Sequence, residues 1–259
     1  MDLKIAGRKA IVCASSRGLG RGCAEALAAE GCDLVINGRD AGLLADVAKD
    51  MVARHGVTVT PVAGDVSDPA IQKALLEACP APDILVNNNG GPPRRHYTEL
   101  DREAMIDGVI QNMITPLELI QAVVAGMTER GFGRIVNITS LSVYMPIEGL
   151  DLSSGARAGL TAFLAGVLRQ VAGSNVTVNN LLPGKMDTDR LRTGLRASAA
   201  KAGSSEDEEA TRQMTAIPAK RFGSAEEFGE ICAFICSDHA GYITGQNLLV
   251  DGGLYTSAF

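Results

Sequence analysis

Short runs of β-branched and aliphatic residues alternate along this chain with longer stretches whose apolar residues recur every three to four positions. That alternation predicts consecutive βαβ units and a parallel sheet covered by helices on both faces. The expected strands are Lys9–Ala14, Asp33–Asn37, Val57–Val62, Ile84–Asn87, Arg134–Ile138, Val176–Leu181 and Gln246–Val250. Helices are expected from about Gly18 to Glu30, over Asp40–His55, from a start at Asp68-Pro69, over Leu152–Val171 and over Ala225–Ser237. The fold class that follows is α/β: a single-domain Rossmann fold over 1–259, doubly wound, with about seven parallel strands. One stretch breaks the pattern. Asp187–Pro218 is rich in Arg, Ala, Ser and Glu, and is expected to form a mobile helical substrate lobe (187–218) rather than core; a solvated pair of surface helices is the plainer reading.

Composition narrows this picture. With 46% hydrophobic residues, 4% aromatics and no Trp, the 259-residue chain must build its core from Ala, Val, Leu and Ile. A formal charge of −6 argues against nucleic acid or an anionic membrane as partner. The N-terminal Met1-Asp2-Leu3-Lys4 lacks an apolar leader, and no apolar run has the length of a membrane span, so a cytoplasmic location is expected. Six cysteines are scattered; Cys232 and Cys236 share a helical face, but buried thiols in a reducing compartment are expected and no metal site.

Chemistry begins after the first strand, with Ala14-Ser15-Ser16-Arg17-Gly18-Leu19-Gly20. Glycines between a strand and a helix let the backbone approach a pyrophosphate, and the helix start offers free N–H groups and its positive dipole end. Where NAD binders carry an acidic residue at the end of the second strand, this chain has Asn37-Gly38-Arg39. Arg39 with Arg17 is expected to clamp a ribose 2′-phosphate and no carboxylate competes, so the expected cofactor is NADP(H), although each alone could be a surface Arg.

These segments, with others in order along the chain, resemble the short-chain dehydrogenase/reductase family, and most closely its 3-oxoacyl-acyl-carrier-protein reductase-like members. Ala14 stands where that family has its first loop glycine. Gly64-Asp65-Val66 is similar to the segment against adenine, and Asn87-Asn88-Asn89-Gly90 to Asn-Asn-Ala-Gly. Asn112 matches the structural Asn of the catalytic tetrad. Ile135-Val136-Asn137-Ile138-Thr139-Ser140 resembles the strand ending in the catalytic Ser. Pro183-Gly184 with Thr188 resembles the loop over the nicotinamide, and Tyr242–Gly253 the C-terminal signature. The resemblance implies cofactor contacts at Ala14–Gly20, Asn37, Arg39, Asp65, Val66, Asn88, Gly90, Arg157, Pro183, Gly184 and Thr188. It also implies a small-molecule carbonyl substrate. A homotetramer built through the C-terminal helix and strand is expected, with Phe222, Phe228, Ile231, Phe234 and Ile235 serving core and interface together.

The family's Tyr, thirteen residues after the catalytic Ser, and its Lys, four further on, fall here on Ser153 and Arg157. The downstream helix stays in register. A Ser hydroxyl is a far weaker acid than a phenol of pKa about 10, and Arg stays protonated, so it stabilises an alkoxide without carrying a proton. Tyr144, four residues beyond Ser140, is a candidate proton donor, though packing on the pocket wall is the plainer reading. Lys185 is a second candidate, otherwise a surface charge. In Pro92-Pro93-Arg94-Arg95-His96-Tyr97, Arg94 and Arg95 suit an acidic substrate or a carrier's phosphopantetheine, or form a solvated basic loop. The expected function is an NADPH-dependent carbonyl reductase with an atypical catalytic site acting on a 3-oxoacyl thioester or small ketone. The alternatives are a non-redox lyase or isomerase on the same fold, or a silent NADP(H)-binding protein. The halohydrin dehalogenases resemble the chain in pairing Ser with Arg, but they keep the Tyr and lose the cofactor loop.

Overall fold

In the computed structural model, which describes residues 1–92 and 94–257, period-two alternation within each strand divides the core into two halves. Ala10, Val12, Leu34, Ile36, Ile84 and Val86 face one side of the sheet; Ile11, Cys13, Val35 and Leu85 face the other. Both faces are apolar because both are covered, as a parallel sheet requires.

The first half runs β1 (Lys9–Val12), α1 (Gly18–Ala29), β2 (Asp33–Gly38), α2 (Ala41–His55), β3 (Val59–Ala63), α3 (Pro69–Ala78) and β4 (Ile84–Asn87). Asp40 and Asp68 cap α2 and α3 by accepting from Leu43 N and Ala70 N, and Pro69 occupies the first turn of α3. The second half runs α4 (Arg102–Val109), one π-helical turn (Ile110–Ile114), α5 (Thr115–Arg130), β5 (Gly133–Ile138), α6 (Asp151–Val171) and β6 (Val176–Pro183), then α7 (Asp189–Ala202), α8 (Glu206–Ala216), α9 (Ala225–Cys236) and β7 (Asn247–Val250).

Seven strands pair in the order β3-β2-β1-β4-β5-β6-β7, every neighbour parallel. The order reverses at β1/β4, where the carboxyl ends of the strands open a crevice, the usual ligand site of such sheets. Helices α1 and α9 cover one face through Cys23, Leu27, Phe228 and Cys232. Helices α3, α5 and α6 cover the other through Leu75, Leu119, Val123, Leu160 and Leu164.

Several expectations change in detail. The first strand stops at Val12, because Ala14 has turned into the left-handed region (φ 44°). The continuous helix Arg102–Arg130, crossing the π turn, was not read from the pattern. It is long and apolar enough to pass as a membrane span, with mean hydropathy 1.2, yet Leu119, Ile120, Val123 and Met127 are buried against the sheet. The 187–218 stretch forms α7 and α8, and is not wholly polar: Leu195, Ala210, Ile217 and Phe222 make a small core of their own. Of the C-terminal residues expected to serve two surfaces, Phe222, Phe228 and Ile235 are buried and Phe234 is exposed. Cys232 and Cys236 are free buried thiols whose proton affinity is raised, and no group of three metal-ligating side chains forms among the described residues.

Candidate active site

The glycine loop between β1 and α1 is held from beneath. Asn37, buried at the end of β2, accepts from Ala14 N (3.2 Å) and donates to Val62 O and Gly64 O (3.0 and 3.1 Å). Ser15 is fully buried and donates to Val12 O (2.7 Å) while accepting from Asn37 N. Asn88 donates to Ala14 O (3.1 Å). The side chains of Asn37 and Ser15 are thus bonded within the loop and its supports, and they position it. Gly18 sits at φ 55°, a conformation that favours glycine. A Cβ on Gly20 would overlap the Ala14 carbonyl, so only glycine lets α1 start this close to β1. Leu19 packs on the core, and Ser16 lies against Gly38. The first N–H groups of α1, which have no intrahelical partner, thus start close to the end of β1.

Arg17 and Arg39 are exposed at the rim of this loop. A carboxylate does stand nearby, contrary to expectation: Asp40 Oδ2 lies 3.9 Å from Arg17 Nη2. Its other oxygen caps α2, accepting from Leu43 N at 3.0 Å. Arg39 enters no ion pair among the described residues. Val66 is buried, Asp65 is exposed with Oδ1 accepting from Ser67 N (2.9 Å), and Gly90 opens on free space. Across the crevice, Gly184 N is tied to Val250 O at the end of β6, and Thr188 caps α7. Thr188 Cγ2 stands 3.5 Å from the Cβ position of Gly18, so the loop after β6 faces the glycine loop as a cradle requires. A cradle of small residues, the N–H groups at the helix start and two rim arginines fit a dinucleotide carrying an extra phosphate.

The reaction end lies where β5 stops. Ser140 is half-buried in extended backbone, and its Oγ accepts from Ser142 N (3.1 Å), which leaves the hydroxyl hydrogen free to donate. Arg157, on the first turns of α6 and 8% exposed, donates from Nη1 to Ile138 O (2.6 Å) and from Nε to Ser153 Oγ (3.2 Å). Burial first, then the neighbouring Arg190, lower its proton affinity to a pKa of about 10, so it is still a cation at neutral pH. Asn112 sits in the π turn, an interruption common at functional sites, with Nδ2 donating to Gly108 O (3.2 Å). Arg157 lines a cavity of about 20 Å³ whose wall mixes Asn87, Asn112, Thr115 and Asn137 with apolar residues such as Leu119 and Leu160. Three buried polar atoms without protein partners, Asn87 Oδ1, Asn112 Oδ1 and Thr115 Oγ1, belong to its walls.

Asn87 also heads a ladder of amides that the sequence reading missed. Asn87 Nδ2 donates to Asn137 Oδ1 (2.9 Å), Asn137 Nδ2 to Asn180 Oδ1 (3.0 Å), and Asn180 Nδ2 to Asn247 Oδ1 (2.7 Å). The four residues sit opposite one another in β4, β5, β6 and β7. The available signal was an Asn in each otherwise apolar strand, two of them in β6; only register shows which ones meet.

Tyr144 is 42% exposed, with its ring 5.5 Å from that of Tyr255, another residue missed in the sequence because the C-terminal tail brings it there. Lys185 is half-buried, with Nζ on Gln213 Oε1 (2.9 Å). His96 caps a short turn beside Tyr97, and His55 and His239 bond to Glu25 and to the Asp2 carbonyl. The segment around Arg94 is strapped down by Arg95 N to Gly149 O (3.2 Å); Pro93 lies outside the described residues.

Comparison with known proteins agrees with this geometry. Residues 13–255 match the family described as enoyl-(acyl carrier protein) reductase. The chain is 32% identical over 251 residues to the NADPH-dependent reductase BacG of Bacillus subtilis (strain 168), covering 95% of this chain and 97% of that one. It is 33% identical over 253 residues to the 3-oxoacyl-[acyl-carrier-protein] reductase FabG of Escherichia coli (strain K12), covering 96% and 98%. The structure of L-sorbose reductase from Gluconobacter frateurii complexed with NADPH and L-sorbose superposes with a TM-score of 0.94 at 29% identity, covering 99% and 100%.

Proposed function

Because the chain belongs to the short-chain dehydrogenase/reductase family, we propose that it is an NADPH-dependent carbonyl reductase whose family Tyr and Lys are replaced by Ser153 and Arg157. The observation that carries the reading is the continuity of cradle and reaction end. The glycine loop and Thr188 face each other across the crevice, and Ser140 and Arg157 close one end of it. The relatives named as NADPH-dependent or complexed with NADPH support the choice of cofactor.

Bound NADPH supplies the hydride. Ala14–Gly20 would hold its pyrophosphate, Arg17 and Arg39 its 2′-phosphate, Val66 and Gly90 its adenosine side, and Pro183, Gly184 and Thr188 its nicotinamide side. Ser140 donates its free hydroxyl hydrogen to the substrate carbonyl and holds it in place. Arg157 presents fixed positive charge to the oxygen as negative charge grows there, a contribution that costs no reorganisation because Ile138 O and Ser153 already orient the guanidinium. Arg157 keeps its proton, so the product hydroxyl takes one from elsewhere; Tyr144, at the crevice mouth, is the donor in this reading. Asn112 shapes the π turn behind the site. Helices α7 and α8 form the substrate lobe, which closes over the carbonyl compound. Exposed apolar side chains on the helical faces, Ile106, Ile114, Phe163 and Phe234 among them, suit a homotetramer in the cytoplasm.

Fluorescence titration with NADPH and NADH, followed by absorbance loss with 3-oxoacyl thioesters, diketones and aldehydes, tests the proposal. Preferential NADPH binding with turnover is expected. The missing phenol at position 153 favours, as the second reading, a cofactor-binding protein without redox turnover. Tight NADPH binding with no carbonyl reduced would establish that reading instead.

A further inference from the structure

Ser140 and Tyr144 are the two ends of one turn. Ser140 caps the 3₁₀ turn Leu141–Val143 by accepting from Ser142 N (3.1 Å), and Tyr144 N closes it on Leu141 O (2.9 Å). At a rise of about 2 Å per residue their Cα atoms stand about 8 Å apart, close enough for the phenol to turn back toward the Ser140 hydroxyl. The turn fixes the backbone of Tyr144 and leaves its side-chain torsions to what the ring meets. That partner is Tyr255, with ring centroids 5.5 Å apart and planes tilted by 32°.

Tyr255 is delivered by a C-terminal tail that is held along its whole course. Gly184 N bonds Val250 O (2.9 Å) where β6 and β7 end, and a Cβ on Gly184 would meet Asp251 Cβ at 2.6 Å, so the Asp251 side chain packs directly on that loop. Gly252 and Gly253 reverse the chain at positive φ, and Gly252 O accepts from Ala219 N (3.1 Å) just beyond α8. Leu254 packs on the small core of the lobe. Asp251 uses both carboxylate oxygens on this turn: Oδ1 accepts from Gly253 N (2.9 Å) and Oδ2 from Tyr255 N (2.7 Å). The tail thereby ties the ends of β6 and β7 and the lobe to the loop after β5, which it meets through the aromatic pair.

We infer that Tyr255 is a positioning residue, whose ring holds that of Tyr144 so that the phenol faces the carbonyl oxygen received by Ser140. The inference rests on the reductase reading with Tyr144 as proton donor, and it adds the C-terminal tail to the site. A tilted ring pair at this separation is a favourable aromatic arrangement. A donor on a half-exposed loop needs such a support, because proton transfer requires hydrogen-bond geometry and a small misplacement is costly in rate. The anchors of the tail lie at Gly184 and on the lobe, so the donor is set in place by the elements that border the substrate.

The test has two arms on the full-length protein, with circular dichroism confirming the fold of each variant. In the first, kcat and KM are measured at saturating NADPH with the 3-oxoacyl thioester, diketone or aldehyde that is reduced fastest. Tyr144→Phe is expected to lower kcat about 10²-fold. Tyr255→Ala is expected to lower kcat about tenfold with KM within about twofold, while Tyr255→Phe, which keeps the ring, stays near wild type. The Tyr144→Phe/Tyr255→Ala double variant is expected to be no slower than Tyr144→Phe alone, since a residue acting through another adds nothing once that other is gone. A wild-type kcat in Tyr255→Ala, a loss that multiplies with that of Tyr144→Phe, or an effect on KM alone would overturn the inference. A wild-type kcat in Tyr144→Phe would remove the donor, and the inference with it, while leaving the reductase intact. In the second arm, 3-fluorotyrosine replaces the four tyrosines, and the Tyr144 fluorine signal is assigned by its loss in Tyr144→Phe. Tyr255→Ala is expected to narrow that signal and move it toward the free amino acid, and Tyr255→Phe to leave it dispersed. An unmoved signal in Tyr255→Ala would overturn the inference. This arm needs no turnover, so if no carbonyl is reduced the reductase reading falls and the fluorine signal alone decides whether Tyr255 holds the ring.

Discussion

Arg157 reaches the carbonyl of Ile138 at 2.6 Å, so the buried cation of α6 is anchored to the last residue of the strand that delivers Ser140. Strand end and helix start are thereby fixed to each other. A neutral side chain at 157 leaves that carbonyl and Ser153 without their donor and removes the charge that faces the developing alkoxide. Arg157→Met is expected to lower kcat/KM by about 10²–10³-fold, measured by NADPH oxidation. In an Arg157→Lys background, Ser153→Tyr restores a phenol and is expected to raise kcat over that background by about 10²-fold. No gain would mean that proton supply does not limit turnover.

The amide ladder makes a stability prediction that depends on position. Asn137→Ala strips a partner from both Asn87 Nδ2 and Asn180 Oδ1 inside the sheet. Each buried polar group left alone costs about 1–3 kcal/mol, and Asn87 Nδ2 keeps the Pro116 carbonyl at 3.4 Å, so a loss of about 2–4 kcal/mol is expected. Asn247→Ala, at the edge strand, orphans only Asn180 Nδ2 and is expected to cost about 1 kcal/mol. Urea unfolding of the two variants reads the difference; equal losses would show that the ladder is not coupled through register.

Ala14 occupies a left-handed conformation at φ 44°, clamped by Asn37 at its N–H and by Asn88 at its carbonyl. For an L-residue this costs about 1–2 kcal/mol, against which glycine carries an entropic penalty of about 0.5–1 kcal/mol. Ala14→Gly is therefore expected to raise Tm by about 1–3 °C in calorimetry. A fall in Tm would show that the clamps, rather than the backbone geometry, dominate at this position.

Arg221 grips Glu227 with both nitrogens (2.7 and 2.5 Å), and Glu227 also accepts from Ser224 N at the start of α9. The Arg221 guanidinium, then the Ser224 N–H, hold the carboxyl at a pKa of about 2, below its usual 4.5. A carboxylate with a depressed folded pKa adds stability above the unfolded value and loses it as pH falls through the folded one. The Tm gap between the wild type and Glu227→Gln is expected to be full at pH 6 and to shrink between pH 4.5 and about 2. A gap that stays constant over that range would show that the ion pair contributes nothing through its charge.

What the sequence determined by itself is local. Period-two runs and capping residues specify strands and helices within a few positions, because strand alternation and Asp40 or Asp68 caps depend only on neighbours along the chain. The glycine loop was legible for the same reason, since strand, loop and helix are contiguous. Helix Arg102–Arg130 was not, because its π turn breaks the period that would have revealed it. Everything that depends on register or on distant segments was decided by the tertiary structure. That Asn37 braces the loop is visible only in the structure, where it bonds Ala14 N and Val62 O. Asn87, Asn137, Asn180 and Asn247 meet only because four parallel strands align. Arg190 of α7 meets the carbonyls of Gly91 and Pro92, about a hundred positions earlier, only when α7 closes on the loop after β4. Electrostatic interaction depends on separation in space, and no pattern along a chain encodes that directly.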